Sequence, residues 1–122
     1  MELLIISLLL TKHVVADFFL QRSFMFKDKH IYGGKGGLVH ATSHALLTWL
    51  CLIFFNPSLA LILAAMDGVI HYHVDYIKSG WNIRTKASPA ETRYWYAFGL
   101  DQLAHLLTYV LIVKIATWPN YL

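Results

Sequence analysis

The sequence predicts an all-α integral membrane protein, a four-helix transmembrane bundle in a single domain over residues 1–122. Two observations lead to this fold class. The hydrophobic fraction is 57% and the mean hydropathy is +0.51, whereas soluble domains are about 45–50% apolar. The chain also holds four apolar stretches close to the roughly 20 residues that a transmembrane helix needs. Little chain remains for a soluble domain.

The first three spans follow from the apolar runs and one turn. The first is predicted over residues 2–20. It is expected to be retained rather than cleaved, because no basic residue precedes the apolar run and no small-residue cleavage site follows it. The second and third spans, residues 38–55 and 58–77, are joined by Asn56-Pro57-Ser58. Such residues favour a tight turn, so the two spans are predicted to form an antiparallel hairpin.

The fourth span is predicted over residues 94–118. Its helix is expected to begin earlier, because Ser88-Pro89-Ala90-Glu91 has the form of a capping box with proline at the first helical position. The single cysteine, Cys51, excludes an internal disulfide and is expected to be a packing residue.

The loops differ in charge and predict the orientation. The loop over residues 21–37 holds Arg22, Lys27, Lys29 and Lys35, and the loop over residues 79–93 holds Arg84, Lys86 and Arg93. The turn after the second span and the tail after Trp118 contain no Lys or Arg. The positive-inside rule therefore places the basic loops in the cytoplasm, against anionic lipids, and both termini outside. No nucleic-acid partner is expected, and a homo-oligomer remains open.

Every predicted span carries His or Asp residues at a spacing of four, which places them on one face of a helix. The predicted topology puts all of them except Asp67 within about 5–18 Å of the cytoplasmic boundary. Ionisable groups are energetically unfavourable inside membranes, so a shared layer on four helices indicates a function. The residues are His13/Asp17, His40/His44, Asp67/His71/Asp75 and Asp101/His105.

This layer predicts a divalent-metal site. Neutral imidazole and carboxylate are ligands of zinc, iron and manganese, and four-helix bundles build di-metal sites from inward-facing pairs. Zinc is the favoured ion, with iron or manganese as alternatives, and one or two ions are expected. A hydrogen-bonded structural network and a proton relay remain as other interpretations. The predicted ligands are His13, Asp17, His40, His44, His71, Asp75, Asp101 and His105.

Further polar residues border the predicted layer, and Lys12, Lys78 and Gln21 are expected to flank it on its cytoplasmic rim. They could hold an anionic substrate, or the lysines could simply extend to the membrane surface. On a helical wheel His73 points away from the ligand face of its span and is not a predicted ligand. The Gly-rich run over residues 33–37 lacks the form of a phosphate-binding loop, so that interpretation is rejected. The substrate-binding candidates are Lys12, Gln21, Lys78 and Arg84.

The run HVVADFFLQ, from His13 to Gln21, resembles the opening motif of the domain-of-unknown-function family 3307, which comprises small membrane proteins of bacteria and their phages. The resemblance covers nearly the whole chain. It implies a location in the bacterial inner (cytoplasmic) membrane and a shared polar set, but no reaction. A weaker similarity points to the bacterial membrane-bound metal-dependent hydrolases. The later stretches similar to family 3307 are His40 with His44, His71 to Lys78, and Asp101-Gln102 with His105.

The leading functional hypothesis is a metal-dependent membrane enzyme, with hydrolysis as the favoured reaction. A metal ion lowers the pKa of a bound water to near neutrality, and Asp67 or Asp101 would act as general base. A lipid or lipid-linked substrate suits a site near the membrane surface. The alternatives are a divalent-metal or proton transporter and a non-catalytic phage or host membrane partner with a structural metal.

Overall fold

The structure, a computed structural model, describes residues 1–118 and is all-helical over that range. The predicted all-α class is therefore confirmed. The C-terminal tail after Trp118, which the charge pattern predicts to be outside the cytoplasm, is not among the residues that the structure describes. The helices are α1 (Glu2–Val14), continued by a π-helical segment (Val15–Leu20), then α2 (Ser23–Lys27), α3 (Lys35–Leu52), α4 (Pro57–Thr85) and α5 (Thr92–Thr117).

Three helical segments are long and apolar enough to cross a membrane: Glu2–Leu20, Pro57–Thr85 and Thr92–Thr117. Helix α3 is not among them. Its 18 residues extend about 27 Å, slightly less than a bilayer core of about 30 Å, and its first ten residues include Lys35, His40 and His44. The membrane character of the chain therefore rests on three candidate spans.

The helix ends depart from the predicted ones in two places. Helix α4 continues well beyond residue 77, to Thr85, because no proline occurs in the polar stretch that follows the apolar run and the single glycine there, Gly80, is tolerated within the helix. Helix α5 begins at Thr92, so the predicted early start at the capping box is wrong. The Ser88 N–H does donate to Glu91 Oε2 at 2.9 Å, but the two residues close a turn ahead of the helix. This hydrogen bond and the nearby Arg93 guanidinium lower the pKa of the Glu91 carboxyl.

The long helices pack as a bundle in which α1 and α4 each contact both α3 and α5. One end of the bundle is tied by Thr117 Oγ1, which donates to Glu2 Oε1 at 3.1 Å, and by Asn56 Nδ2, which donates to the Ala116 carbonyl at 2.9 Å. We call this the apolar end, because its core consists of Ile5, Leu9, Leu52, Ala60, Leu63, Tyr109, Ile112, Val113 and Ala116. The opposite end, which carries α2 and both basic loops, is the basic end.

The Gly-rich run at the basic end is used for close packing. The backbone N–H groups of Gly36 and Gly37 donate to the Asp28 carboxylate at 3.0 Å each. A Cβ atom at Gly36 would collide with the Phe24 carbonyl oxygen. The free backbone N–H groups in the first turn of α3 therefore donate to a carboxylate of the chain itself. This agrees with the rejection of a phosphate-binding loop.

Candidate metal centre

A buried polar layer lies between the apolar core and the basic end. The π-helical segment, α3, α4 and α5 all contribute to it, because the four-residue spacing turns each His/Asp pair toward the bundle axis. The imidazoles of His40, His44, His71 and His105 are at most 2% exposed. The predicted convergence of these pairs is therefore seen in the tertiary structure.

Asp17 reaches the layer from the π-helical segment. A π-turn is wider than an α-turn and commonly marks a functional position. The Asp17 carboxylate contacts histidines on two other helices, and its side chain is largely buried. It is therefore the point at which the first span joins the cluster.

The first group of candidate ligands comprises Asp17, His40, His44 and His71, whose ligand atoms all lie within 4.8 Å of one another. Asp17 Oδ1 lies 2.9 Å from His44 Nε2 and 3.1 Å from His40 Nε2. It lies 4.0 Å from His71 Nε2. In a tetrahedral site with bonds of about 2.0–2.1 Å, neighbouring ligand atoms are about 3.3 Å apart. The four side chains can therefore surround one ion after small adjustments.

The second group comprises His71, Asp75 and His105, again within 4.8 Å. Asp75 Oδ2 lies 3.4 Å from His71 Nε2, and Asp75 Oδ1 lies 3.4 Å from His105 Nε2. The His71 ring stacks on His44 at 3.6 Å and on His105 at 4.0 Å between ring centres. His71 therefore stands in the middle of a three-ring stack that joins the two groups.

Asp101 and His13 lie beside the two groups without belonging to either. Asp101 Oδ1 is 3.6 Å from His105 Nε2, and both atoms are buried without a hydrogen-bond partner among residues 1–118. His13 Nδ1 lies 2.8 Å from Tyr109 Oη, and its Nε2 lies 3.2 Å from Asp17 Oδ2. His13 thus contacts the carboxylate of the candidate ligand Asp17, as residues surrounding metal ligands commonly do.

Lys12 and Asp67 form a separate ion pair. Lys12 Nζ lies 2.7 Å from Asp67 Oδ2, which also accepts a hydrogen bond from Thr48 Oγ1 at 2.6 Å. Lys12 is only 5% exposed, so the expectation that it lies on the cytoplasmic rim is wrong. The helix rotation that turns His13 inward leaves Lys12 facing α3 and α4. Lys12 Nζ also lies 3.2 Å from His44 Nδ1, on the far side of that imidazole from Asp17.

Sequence reasoning missed three contributors to the layer. Thr48 and Tyr109 each extend a four-residue series by one more turn, after His44 and His105, and that spacing could have identified them. Lys29 lies in the basic loop, and its Nζ is 2.7 Å from Asp75 Oδ2. No local pattern distinguishes Lys29 from the other loop cations.

A polar cavity of about 520 Å³ opens from the layer toward the basic end. Its walls include the carboxylates of Asp17, Asp75 and Asp101, together with the substrate-binding candidates Gln21 and Lys78. Gln21 donates to the Asp17 carbonyl at 2.9 Å, so its amide is held at this wall. The cavity connects the candidate ligands with the surface and is large enough for a small polar group.

Two remaining residues lie away from the cluster. Arg84 does not line the polar cavity; it lies beside a different one with Tyr76 and Gly80, because it occurs beyond the part of α4 that faces the layer. His73 is exposed, and its Nε2 lies 3.1 Å from Tyr32 Oη. The wheel assignment of His73 to the opposite face therefore agrees with the structure.

These features define an all-helical protein with candidate membrane spans and a buried His/Asp cluster that could hold a metal. The chain belongs to the family described as Protein of unknown function (DUF3307), which matches residues 4–121. The family resemblance of the His13–Gln21 motif is thereby confirmed. The chain matches no curated protein and no solved structure.

Proposed function

We propose that this protein is a metal-dependent hydrolase of the bacterial inner membrane, with its site open to the cytoplasm. The supporting observation is the first ligand group: one carboxylate and three imidazoles, brought from three helical segments into a sphere that fits a single ion. The polar cavity gives this group access from the basic end.

The proposed topology has four spans, with α3 as the second and both termini outside. Much of the low hydropathy of α3 arises from residues that face inward, since His40, His44 and Thr48 are buried, whereas the exposed Lys35 lies at the start of the helix at the basic end. Its outward residues are apolar and exposed, as expected at a lipid boundary: Leu38, Val39, Leu46 and Leu50. A helix of this kind is compatible with lipid although its mean hydropathy is modest.

We propose Asp17, His40, His44 and His71 as the residues that would hold the primary ion, with zinc favoured because the set offers three imidazoles and one carboxylate. When bound, the ion would supply Lewis acidity and activate a water for hydrolysis, which with four protein ligands would need a fifth coordination position. His71 Nε2 can bind only one ion. A second ion would therefore rely on Asp75 and His105, with Asp101 close by.

Of the two candidate bases, Asp101 is the better placed. It lines the polar cavity, and its Oδ1 faces His105 Nε2. Asp67 instead neutralises Lys12 and accepts from Thr48, so it serves to hold the bundle together. Gln21 and Lys78 line the cavity and could hold a lipid head group. Lys12 and Arg84 do not line it, so they are no longer proposed to bind substrate.

A divalent-metal or proton transporter is the second candidate. The Lys12–Asp67 pair favours it, because this pair extends the polar layer toward the apolar end. Beyond the pair, the core around Leu9, Leu63 and Tyr109 closes the bundle. A transporter would have to open this core during each cycle. A non-catalytic membrane partner with a structural metal is the third candidate and is recognised by a stable co-purifying protein.

The test combines metal content with two assays on one preparation. The protein is purified in mild detergent without chelator, its metals are measured by mass spectrometry, and it is tested for lipid hydrolysis in micelles and for ion uptake in liposomes. One or two equivalents of zinc, iron or manganese with turnover and no uptake is the expected result. Uptake without turnover would support the transporter, and a folded, metal-free protein would contradict both metal-based functions.

A further inference from the structure

An apolar groove of about 510 Å³ runs along the outer face of α4 and α5 near the basic end. Its floor and walls are Val74, Ile77, Trp81, Tyr96, Ala97 and Leu100. Several of these side chains are strongly exposed, among them Ile77 at 64% and Leu100 at 68%. In a membrane such a surface faces acyl chains, so a lipid could enter the groove laterally without leaving the bilayer.

The groove and the polar cavity share two residues, Lys78 and Asp101. Lys78 Nζ lies 5.3 Å from the centre of the Phe98 ring and 6.0 Å from that of Tyr94, and both rings line the polar cavity. The ammonium is therefore on the cavity side, while the aliphatic part of the side chain belongs to the groove. Lys78 is the boundary between a polar compartment and an apolar one.

The charge of Lys78 is available for a ligand. Its Nζ forms no ion pair within 4.0 Å with any residue that the structure describes, whereas Lys12 and Lys29 are each bound to a carboxylate. Arg93, which lines the groove, is paired with Glu91 at 2.7 Å. An unpaired ammonium at the junction of an apolar groove and a polar cavity is suited to an anionic head group with an attached acyl chain.

We infer that the groove and the cavity together bind one phospholipid with a phosphate monoester head group, its phosphate at Lys78 Nζ and an acyl chain along the groove. This inference rests on the proposed function, because the lipid is the substrate of the metal site. The phosphate would then lie beside Asp101 and within the cavity that leads to His105. The pairing of Lys29 with Asp75 reduces the repulsion between the phosphate and the acidic wall.

The test measures lipid retention by native mass spectrometry on the full-length protein, taken from nanodiscs of phosphatidylcholine with a minor fraction of phosphatidic acid. A charge-assisted hydrogen bond to Lys78 predicts enrichment of phosphatidic acid by about tenfold over its share of the nanodisc. Lys78→Gln should remove the enrichment, whereas Lys114→Gln, at the exposed opposite end of α5, should keep it. Equal enrichment in the two variants would overturn the inference.

The binding of the acyl chain in the groove is tested by substitutions that add side-chain volume. Ala97→Phe fills the groove and should lower phosphatidic acid retention severalfold, whereas Gly99→Phe adds bulk on the same helix where a Cβ meets only open space. Glycerol phosphate, which has the phosphate but no chain, should compete poorly with the lipid. Effective competition by glycerol phosphate, or unchanged retention in folded Ala97→Phe, would show that the groove takes no part.

Metal content, measured on the same samples, separates this inference from the proposed function. If the protein contains no metal but still enriches phosphatidic acid in a Lys78-dependent way, the lipid site is supported and the proposed hydrolase function is overturned. Bound metal with neither enrichment of phosphatidic acid nor formation of diacylglycerol, its hydrolysis product, would overturn the lipid site alone.

Discussion

The Nε2 atoms of His40 and His71 lie 3.1 Å apart, although the two residues belong to different helices and are separated by 31 positions in the chain. Both atoms also face carboxylate oxygens: His40 Nε2 is 3.1 Å from Asp17 Oδ1, and His71 Nε2 is 3.4 Å from Asp75 Oδ2. Two imidazole nitrogens directed at each other and at acidic oxygens are a natural pair of ligands for a shared cation.

Removal of one histidine from the first ligand group should cause loss of the metal. His44→Ala and His71→Ala each leave three of the four ligands, and we expect the bound metal to fall at least tenfold after dialysis, consistent with the loss of a direct ligand bond. His73→Ala is the matched control, since His73 lies on the same helix as His71 but contacts Tyr32 at the surface. The measurement is metal per protein by mass spectrometry. If His73→Ala lost the metal and His71→Ala kept it, the assignment of His71 as a ligand and of His73 as a surface residue would be wrong.

The Lys12–Asp67 pair should stabilise the bundle as a unit. Lys12→Met leaves Asp67 buried without its cation and should lower the free energy of unfolding by about 3–5 kcal/mol. The double variant Lys12→Met/Asp67→Leu should be destabilised by less than the sum of the two single variants, because neither charge is then left alone. The measurement is a double-mutant cycle from denaturant unfolding in detergent. Strict additivity of the two changes would show that the pair is not coupled.

Removal of the metal should destabilise the folded protein. A ligand that binds only the native state stabilises it by about 2.7 kcal/mol when its concentration is a hundred times Kd. We therefore expect a strong chelator to lower the apparent Tm and zinc to restore it. The His40→Ala/His44→Ala double variant, which lacks two members of the first group, should show no response to either addition. A response in that variant equal to the wild-type response would locate the ion elsewhere.

The close approach at Gly36 should be essential for the start of α3. Gly36→Ala places a Cβ against the Phe24 carbonyl oxygen and the Asp28 carboxylate, and we expect a loss of about 1–3 kcal/mol, typical of overpacking. Gly99→Ala is the control, because a Cβ there meets open space within helix α5. That change should stabilise the protein by about 0.5–1 kcal/mol. Thermal unfolding of the two variants tests whether Gly36→Ala lowers the stability and Gly99→Ala raises it.

Much of the candidate site could be predicted from spacing alone. The pairs His40/His44 and His71/Asp75 meet in the bundle because residues four apart share a helix face, which is a local property of the chain. The same reasoning excluded His73. It did not reveal the role of Lys29, because a loop cation has no periodicity that indicates which carboxylate it will meet.

The sequence by itself determined the all-α class, three of the four predicted spans as candidate membrane helices, and the inward faces with their His and Asp residues, since hydropathy and helical periodicity are properties of neighbouring residues. Only the tertiary structure decided which of these residues lie together in one cluster. In the tertiary structure Asp17 lies beside the histidines of α3 and α4, and His13 contacts Tyr109. Lys12 is buried in an ion pair with Asp67 and does not lie on the cytoplasmic rim. These contacts depend on the rotation and depth of each helix against its neighbours, which are set by the packing of the whole bundle.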